Sequence, residues 1–289
     1  MFYKISNNNL TVTISKKGAE VVSINKNGFE YLHDGINYWQ GIAPIMFPIC
    51  GRLFGGKYTY KNNEYEMILH GFVRHEEMSV FNATTDSITF IYSSTEESKK
   101  QYPFDFDILI THTLSGDTLT TKFTVINLSN DDLPFALGGH PGFKLPIEGK
   151  GDFTDCYVEF DTPCPAKKID FTPTCFMTGN DTLFDGENLK TINLKHELFD
   201  DDAIFLYDTS KGITLKSKAT DTTIRLDFDG FKYIGLWHAP KTDANYVCIE
   251  PWTSCPSYDG KVDDFATKKD MFYIKQGEKF ELGYSITIK

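Results

Sequence analysis

Apolar and polar positions alternate with period two over most of the chain, the rhythm of strands with one face turned inward. LTVTI (Leu10–Ile14) alternates cleanly and meets a turn at KKG. VVSINKNGFEYL (Val21–Leu32) then reads as two strands around Asn27-Gly28. YTYKNNEYEMI (Tyr58–Ile68) predicts two short strands around Asn62-Asn63, and SITFIYSS (Ser87–Ser94) predicts another. The clearest hairpin runs from Phe104 to Ser129 and turns at Ser115-Gly116-Asp117. A second covers Ile213–Gly230 around Thr220-Asp221, and KFELGYSITI (Lys279–Ile288) forms a last strand.

Helix patterns are scarce. SSTEESKKQYPF (Ser93–Phe104) predicts a turn or two of helix capped by Ser94, and FATKKDMFYI (Phe265–Ile274) predicts another short one. No ten-residue amphipathic segments alternate with strands, which argues against a parallel βαβ layout. No linker-like tract divides the chain. The expectation is one continuous all-β domain over residues 1–289, an antiparallel fold with two stacked sheets or a closed barrel to bury the apolar faces.

Composition sharpens this picture. The 289 residues are 40% hydrophobic and 15% aromatic, enough for a large core. The 24 phenylalanines and 15 tyrosines suit strands and also flat, ligand-facing walls. A net charge of -11 without a basic stripe argues against a nucleic-acid partner. No apolar run of about 18 residues and no leader-like start occur, so no membrane partner is expected and the cytoplasm is the expected location. Cysteines stand at 50, 156, 164, 175, 248 and 255. They are expected as free, mostly buried thiols, because the length supports a core without cross-links and no paired CxxC spacing marks a metal.

Four stretches carry candidate chemistry. APIMFPICGRL (Ala43–Leu53) ends in Gly51-Arg52, and Arg52 has a fork of donors suited to oxygen atoms. In LHGFVRHE (Leu69–Glu76), an extended backbone puts His70, Phe72 and Arg74 on one face and His75 on the other. No third histidine or carboxylate completes a metal-binding spacing there. LPFALGGHPGF (Leu133–Phe143) sets His140 in a sharply shaped glycine- and proline-rich loop, where an imidazole titrating near 6.5 is a poised acid. VCIEPWTSCPS (Val247–Ser257) places Glu250 after an apolar run, beside Trp252, while YIGLWHAP adds Trp237 and His238. Each stretch also has a plain structural reading. Arg52 and the residues around His70 can face solvent, His140 can be a satisfied core residue, and Glu250 can be an exposed strand-end carboxylate.

Taken in order, FPICGRL, HGFVR, GGHPGF, FDDDAIFL and CIEPWTS resemble the aldose 1-epimerase family, also called galactose mutarotases. They look most similar to its short bacterial, lactose-operon-associated branch, and the likeness runs along essentially the whole chain. The resemblance implies a large antiparallel β-sandwich. It also implies that Glu250 is the catalytic base, His140 the catalytic acid, and His70 a second active-site histidine near the ring oxygen. By the same likeness Arg52 holds sugar hydroxyls, and Asp202 binds the sugar, with Asp200 and Asp201 competing in the same run. GGHPGF departs from the asparagine and aromatic that flank this histidine in the galactose enzymes, so an aldose is implied but not galactose. Trp237 is the expected aromatic wall, with Phe72 or Trp252 as alternatives.

The implied reaction opens a pyranose ring. One group removes the anomeric proton, another protonates the ring oxygen, and rotation about C1–C2 precedes closure to the other anomer. Each proton transfer contributes about 10² to 10⁴ in rate. No hydride moves, so no cofactor and no metal is required. The expected partner is a monosaccharide, with the protein a monomer or homodimer. Three alternatives stay open: a sugar-binding protein without turnover, a glycoside-acting enzyme with a carboxylate pair, and a hexose-6-phosphate 1-epimerase. The last would want extra basic residues at the cleft, and no such cluster stands out in the sequence.

Overall fold

The computed structural model describes residues 1–289. It is built almost wholly of antiparallel strands, as the period-two pattern predicts. A nine-stranded sheet carries the long hairpin Phe106–Ser115 and Thr118–Asn127, flanked by Ser87–Ser93 and by Lys279–Ile288. An eight-stranded sheet carries Ile204–Tyr207, Tyr233–Trp237 and Tyr246–Trp252 in its middle. Smaller sheets of four, three and two strands complete the fold. No helix is long and apolar enough to cross a membrane.

The two large sheets stack through one cluster of 65 buried apolar residues. Ile108, Ile110, Phe123, Val125 and Ile286 reach it from the nine-stranded sheet, and Ile234, Leu236, Val247 and Ile249 from the eight-stranded one. Alternation along Tyr246–Trp252 sorts its side chains between two faces. Val247 and Ile249 face the core, so Cys248, Glu250 and Trp252 face the opposite side of the sheet.

Several local expectations need correction. The helix near Ser94 is one four-residue turn, Ser98–Gln101, and the side-chain bonds at its start come from Thr95 and Ser98 instead of Ser94. Phe265–Ile274 forms no helix. Lys268 is drawn inward onto Asp263, at 2.9 Å with both buried, and the chain turns at Asp264–Thr267 before the strand Phe272–Ile274. The tight turns fall at Lys61-Asn62 and Lys218-Ala219, not at the neighbouring pairs expected. At the first of these both residues have positive φ, 50° and 66°, as a two-residue hairpin turn demands. All six cysteines are free and five are buried.

The GGHPGF stretch is not a free loop. Gly138–Gly139 and Gly142–Lys144 are short strand pieces interrupted at His140-Pro141. None of these glycines has positive φ; their role is close packing. A Cβ on Gly138 would lie 2.7 Å from the Met46 side chain, and one on Gly139 would lie 2.7 Å from the ring of Tyr284 on the facing sheet.

Candidate active site

Register explains why His140 and Glu250, 110 positions apart in sequence, meet in space. Gly138 pairs with Trp252 and Gly142 with Cys248, so His140 stands opposite Glu250 across an antiparallel pair. The Ile249 N–H donates to the Pro141 carbonyl at 3.1 Å, and the Thr253 N–H donates to the Leu137 carbonyl at 3.0 Å. The result is a 3.2 Å approach of His140 Nε2 to Glu250 Oε2. Glu250 is therefore mid-strand, not at an exposed strand end, and is only 2% accessible.

These side chains line a cavity of about 300 Å³ on the outer face of the eight-stranded sheet, at the small end of the range for small-molecule sites. His140, 7% accessible, is boxed by aromatic rings. Trp39 stacks on it at 4.8 Å, and Trp237 and His70 meet it edge-on, each at 5.6 Å. Its Nδ1 is buried without a hydrogen-bond partner.

Burial sets the proton affinities. It lowers the His140 pKa to about 3, with the Arg74 guanidinium adding to the effect. It raises Glu250 well above the usual carboxylate range, helped by the nearby charge of Asp202. Both residues are driven toward their neutral forms, so the unliganded pair carries one proton over a wide pH range. A carboxylate facing an imidazolium has the same proton count and is reached by moving that proton across the 3.2 Å gap.

His70 is fixed differently. The expected extended segment is instead a turn, with His70 and Gly71 at φ 64° and 73°, followed by a short 3-10 turn at Val73–His75. A Cβ at Gly71 would lie 2.1 Å from the Phe47 carbonyl oxygen, so only glycine fits. The Gly51 N–H donates to His70 Nδ1 at 3.1 Å, and the His70 N–H donates to the Gly51 carbonyl at 2.8 Å. With Nδ1 accepting, the ring proton sits on Nε2 as a donor. Burial, with Arg74 and Arg52 nearby and His140 competing for a positive charge in the same site, holds the ring pKa well below 6.5 and keeps the imidazole neutral.

Most of the other expected residues converge here. Arg52 lines the cavity and donates to the Thr174 carbonyl at 3.2 Å. Asp202 lines it too, whereas Asp200 and Asp201 do not. Its backbone is in the left-handed region, φ 80°, and the Cys175 thiol lies 2.8 Å from Oδ2 as donor. Trp237 and Trp252 both contribute wall. Phe72 is the exception. The turn at His70-Gly71 swings its ring into the main core, 1% accessible, near Tyr92, Tyr102 and Phe106, so it is not part of the cavity.

Wall residues not identified from sequence include Trp39, Arg74, Cys175 and Phe205. Arg74 had a signal, the shared face with His70, although the backbone that joins them is a turn and not a strand. It is half-buried and makes no ion pair or side-chain hydrogen bond. Glu20, the carboxylate that most affects it, already accepts the N–H groups of Ile42 and Ala43. Nothing near Trp39 in the sequence marked it.

The aldose 1-epimerase family model matches residues 1–261. The plasmid-encoded protein LacX of Lactococcus lactis subsp. lactis is 33% identical over 264 residues, 88% of either chain. A galactose mutarotase related enzyme from Lactobacillus acidophilus has a TM-score of 0.95 at 32% identity, covering 100% of this chain and 97% of that one. A galactose mutarotase-like protein from Lactobacillus casei ATCC 334 has a TM-score of 0.94 at 26% identity, with 100% of both chains covered.

Proposed function

The chain belongs to the aldose 1-epimerase family, and on that premise we propose that it interconverts the α and β anomers of an aldose by ring opening. The observation that carries this reading is the 3.2 Å approach of His140 Nε2 to Glu250 Oε2 in the wall of a cavity sized for one small ligand. A sugar seated there offers its anomeric hydroxyl to Glu250 and its ring oxygen to His140. Glu250 as carboxylate takes the anomeric proton, and His140 as imidazolium protonates the ring oxygen while the C1–O5 bond breaks. Rotation about C1–C2 and reversal of both transfers closes the other anomer. His70 Nε2–H is a neutral donor toward the ring oxygen. Arg52 and Asp202 offer complementary donors and acceptors to the remaining hydroxyls. Trp237, Trp39 and Trp252 supply flat surfaces for the sugar's C–H faces.

Glu250 is a strong base when ionised, because the dry site that raises its pKa also favours proton capture. Sugar hydroxyls replace the missing solvent around that charge on binding. The test is NMR saturation transfer between anomers across a panel of free and phosphorylated aldoses. Exchange above the spontaneous rate for at least one aldose supports the reading, and none for any sugar that binds would leave a non-catalytic sugar-binding protein.

One observation favours a phosphorylated sugar over a free one. Arg74 brings a second, unpaired guanidinium to the cavity beside Arg52, and an unpaired half-buried cation calls for an anionic group. The same panel decides it by the ratio of kcat/KM for phosphorylated and free forms of one aldose.

A further inference from the structure

Cys248 lies two residues before Glu250 on the same face of Tyr246–Trp252, opposite Gly142 in the register. Its thiol is fully buried and takes no part in the sugar chemistry. Ligand atoms of His140, Cys248 and Glu250 all lie within 4.8 Å of one another. An ion with metal–nitrogen and metal–oxygen bonds of about 2.0 to 2.1 Å and tetrahedral angles holds those two atoms about 3.4 Å apart. His140 Nε2 and Glu250 Oε2 are already 3.2 Å apart, so that edge needs almost no adjustment. A thiolate bound at about 2.3 Å sits about 3.6 Å from each of the other ligand atoms, within about an ångström of the present 4.8 Å limit.

Charge and softness point the same way. Imidazole, thiolate and carboxylate together neutralise a divalent cation, which a buried site demands. One thiolate among nitrogen and oxygen ligands selects Zn²⁺ or Co²⁺ over Mg²⁺ or Ca²⁺. His140 and Glu250 line the cavity, so a water molecule on that side would complete the tetrahedron and the cavity would give the ion its way in. Binding releases to solvent the thiol proton of Cys248 and the proton shared by the His140–Glu250 pair.

We propose that His140, Cys248 and Glu250 form a binding site for a thiophilic divalent cation, and that the bound ion inhibits the protein by occupying the proton-transfer pair. The inhibitory half rests on the epimerase reading; the binding half does not. Co²⁺ titrated into the intact chain should give a near-ultraviolet thiolate-to-cobalt band and the intense visible bands of a four-coordinate ion, both displaced by Zn²⁺. Cys248→Ser should abolish the thiolate band and weaken binding by more than the about 10- to 100-fold that loss of a mere supporting group costs. Cys175→Ser, which removes the thiol that lines the cavity, should keep the band. Zn²⁺ should suppress anomer exchange in competition with sugar, and Cys248→Ser should lose that sensitivity while exchanging anomers at the parent rate. Absence of a thiolate band in the parent protein, its persistence in Cys248→Ser, or its loss in Cys175→Ser would overturn the site. Should Cys248→Ser fold poorly, Cys248→Ala and the parent spectrum carry the same decision. A Cys248-dependent cobalt spectrum in a protein that exchanges no anomers would uphold the site and reject the epimerase reading instead.

Discussion

Replacing Glu250 with glutamine separates the roles open to a buried carboxylate. Glutamine has nearly the same shape and keeps a hydrogen-bonding carbonyl, but it cannot take a proton at neutral pH. If Glu250 is the base, the loss falls on kcat. A positioned general base contributes about 10² to 10⁴ in rate, which at 1.36 kcal/mol per decade is about 2.7 to 5.4 kcal/mol of barrier. If Glu250 only accepts a hydrogen bond from the sugar, the cost is about 1.5 to 3 kcal/mol and appears as a raised KM with kcat intact. Saturation-transfer NMR over a range of sugar concentrations resolves the two.

Stability supplies an independent readout with a definite sign. Burial raises the folded-state pKa of Glu250 above its ordinary 4.5. The folded protein then binds more protons than the unfolded chain once pH exceeds that value. Its stability accordingly falls as pH rises from 4.5 toward the folded pKa, and levels off beyond it. Glutamine has no such dependence, so Glu250→Gln should be at least as stable as the parent at pH 7, with the difference shrinking on acidification. Urea unfolding at several pH values measures this. A folded variant that exchanges anomers with unchanged kcat would refute the catalytic assignment, and a variant destabilised at pH 7 would refute the account of the buried charge.

Other outcomes rest on the same geometry. His140→Asn should slow anomer exchange at least about a hundredfold while the protein stays folded. Because burial lowers the His140 pKa from 6.5 to about 3, the parent loses stability from this residue as pH falls through that window, and the asparagine variant should lose less on acid titration. Phe72→Ala should destabilise by about 3 to 5 kcal/mol in urea melts with little change in KM, whereas a ring that touched sugar would give the reverse. Arg74→Gln should raise KM for a phosphorylated aldose about 10- to 100-fold and leave KM for the free sugar nearly untouched, with any change in kcat through His140 common to both; equal effects on the two KM values would remove the anionic reading.

Period two carried most of the architecture because each strand has one face on the core and one away from it. The strand containing Glu250 obeys that rule while being buried on both faces, and this is why its glutamate read equally well as an exposed strand end. Only the pairing of Gly138 with Trp252 and Gly142 with Cys248 turns the face away from the core into a site, and pairing between distant segments leaves no mark in local alternation. The segment around His70 misled for a local reason. A histidine at φ 64° followed by a glycine pressed against the Phe47 carbonyl reverses the chain within two residues, so strand geometry gave Phe72 the wrong side while keeping His70 and Arg74 together.

The same contrast explains which site residues could be seen. His140, Glu250, Arg52 and His70 stand next to glycines or prolines, whose special packing needs marked each stretch as unusual. Trp39 reaches the cavity from a segment with no strand rhythm, and Arg74 looked like an ordinary charge at a strand end. Yet these two complete the environment that the pair needs. The Trp39 ring excludes water from His140, and the Arg74 charge opposes its protonation. The proton affinity of His140 is therefore set in part by side chains that carry no motif. A chain keeping every motif residue but replacing Trp39 and Arg74 would retain the acid and the base while letting the His140 pKa rise from about 3 toward the ordinary 6.5, and so would narrow, from the acid side, the pH range over which the pair holds a single proton.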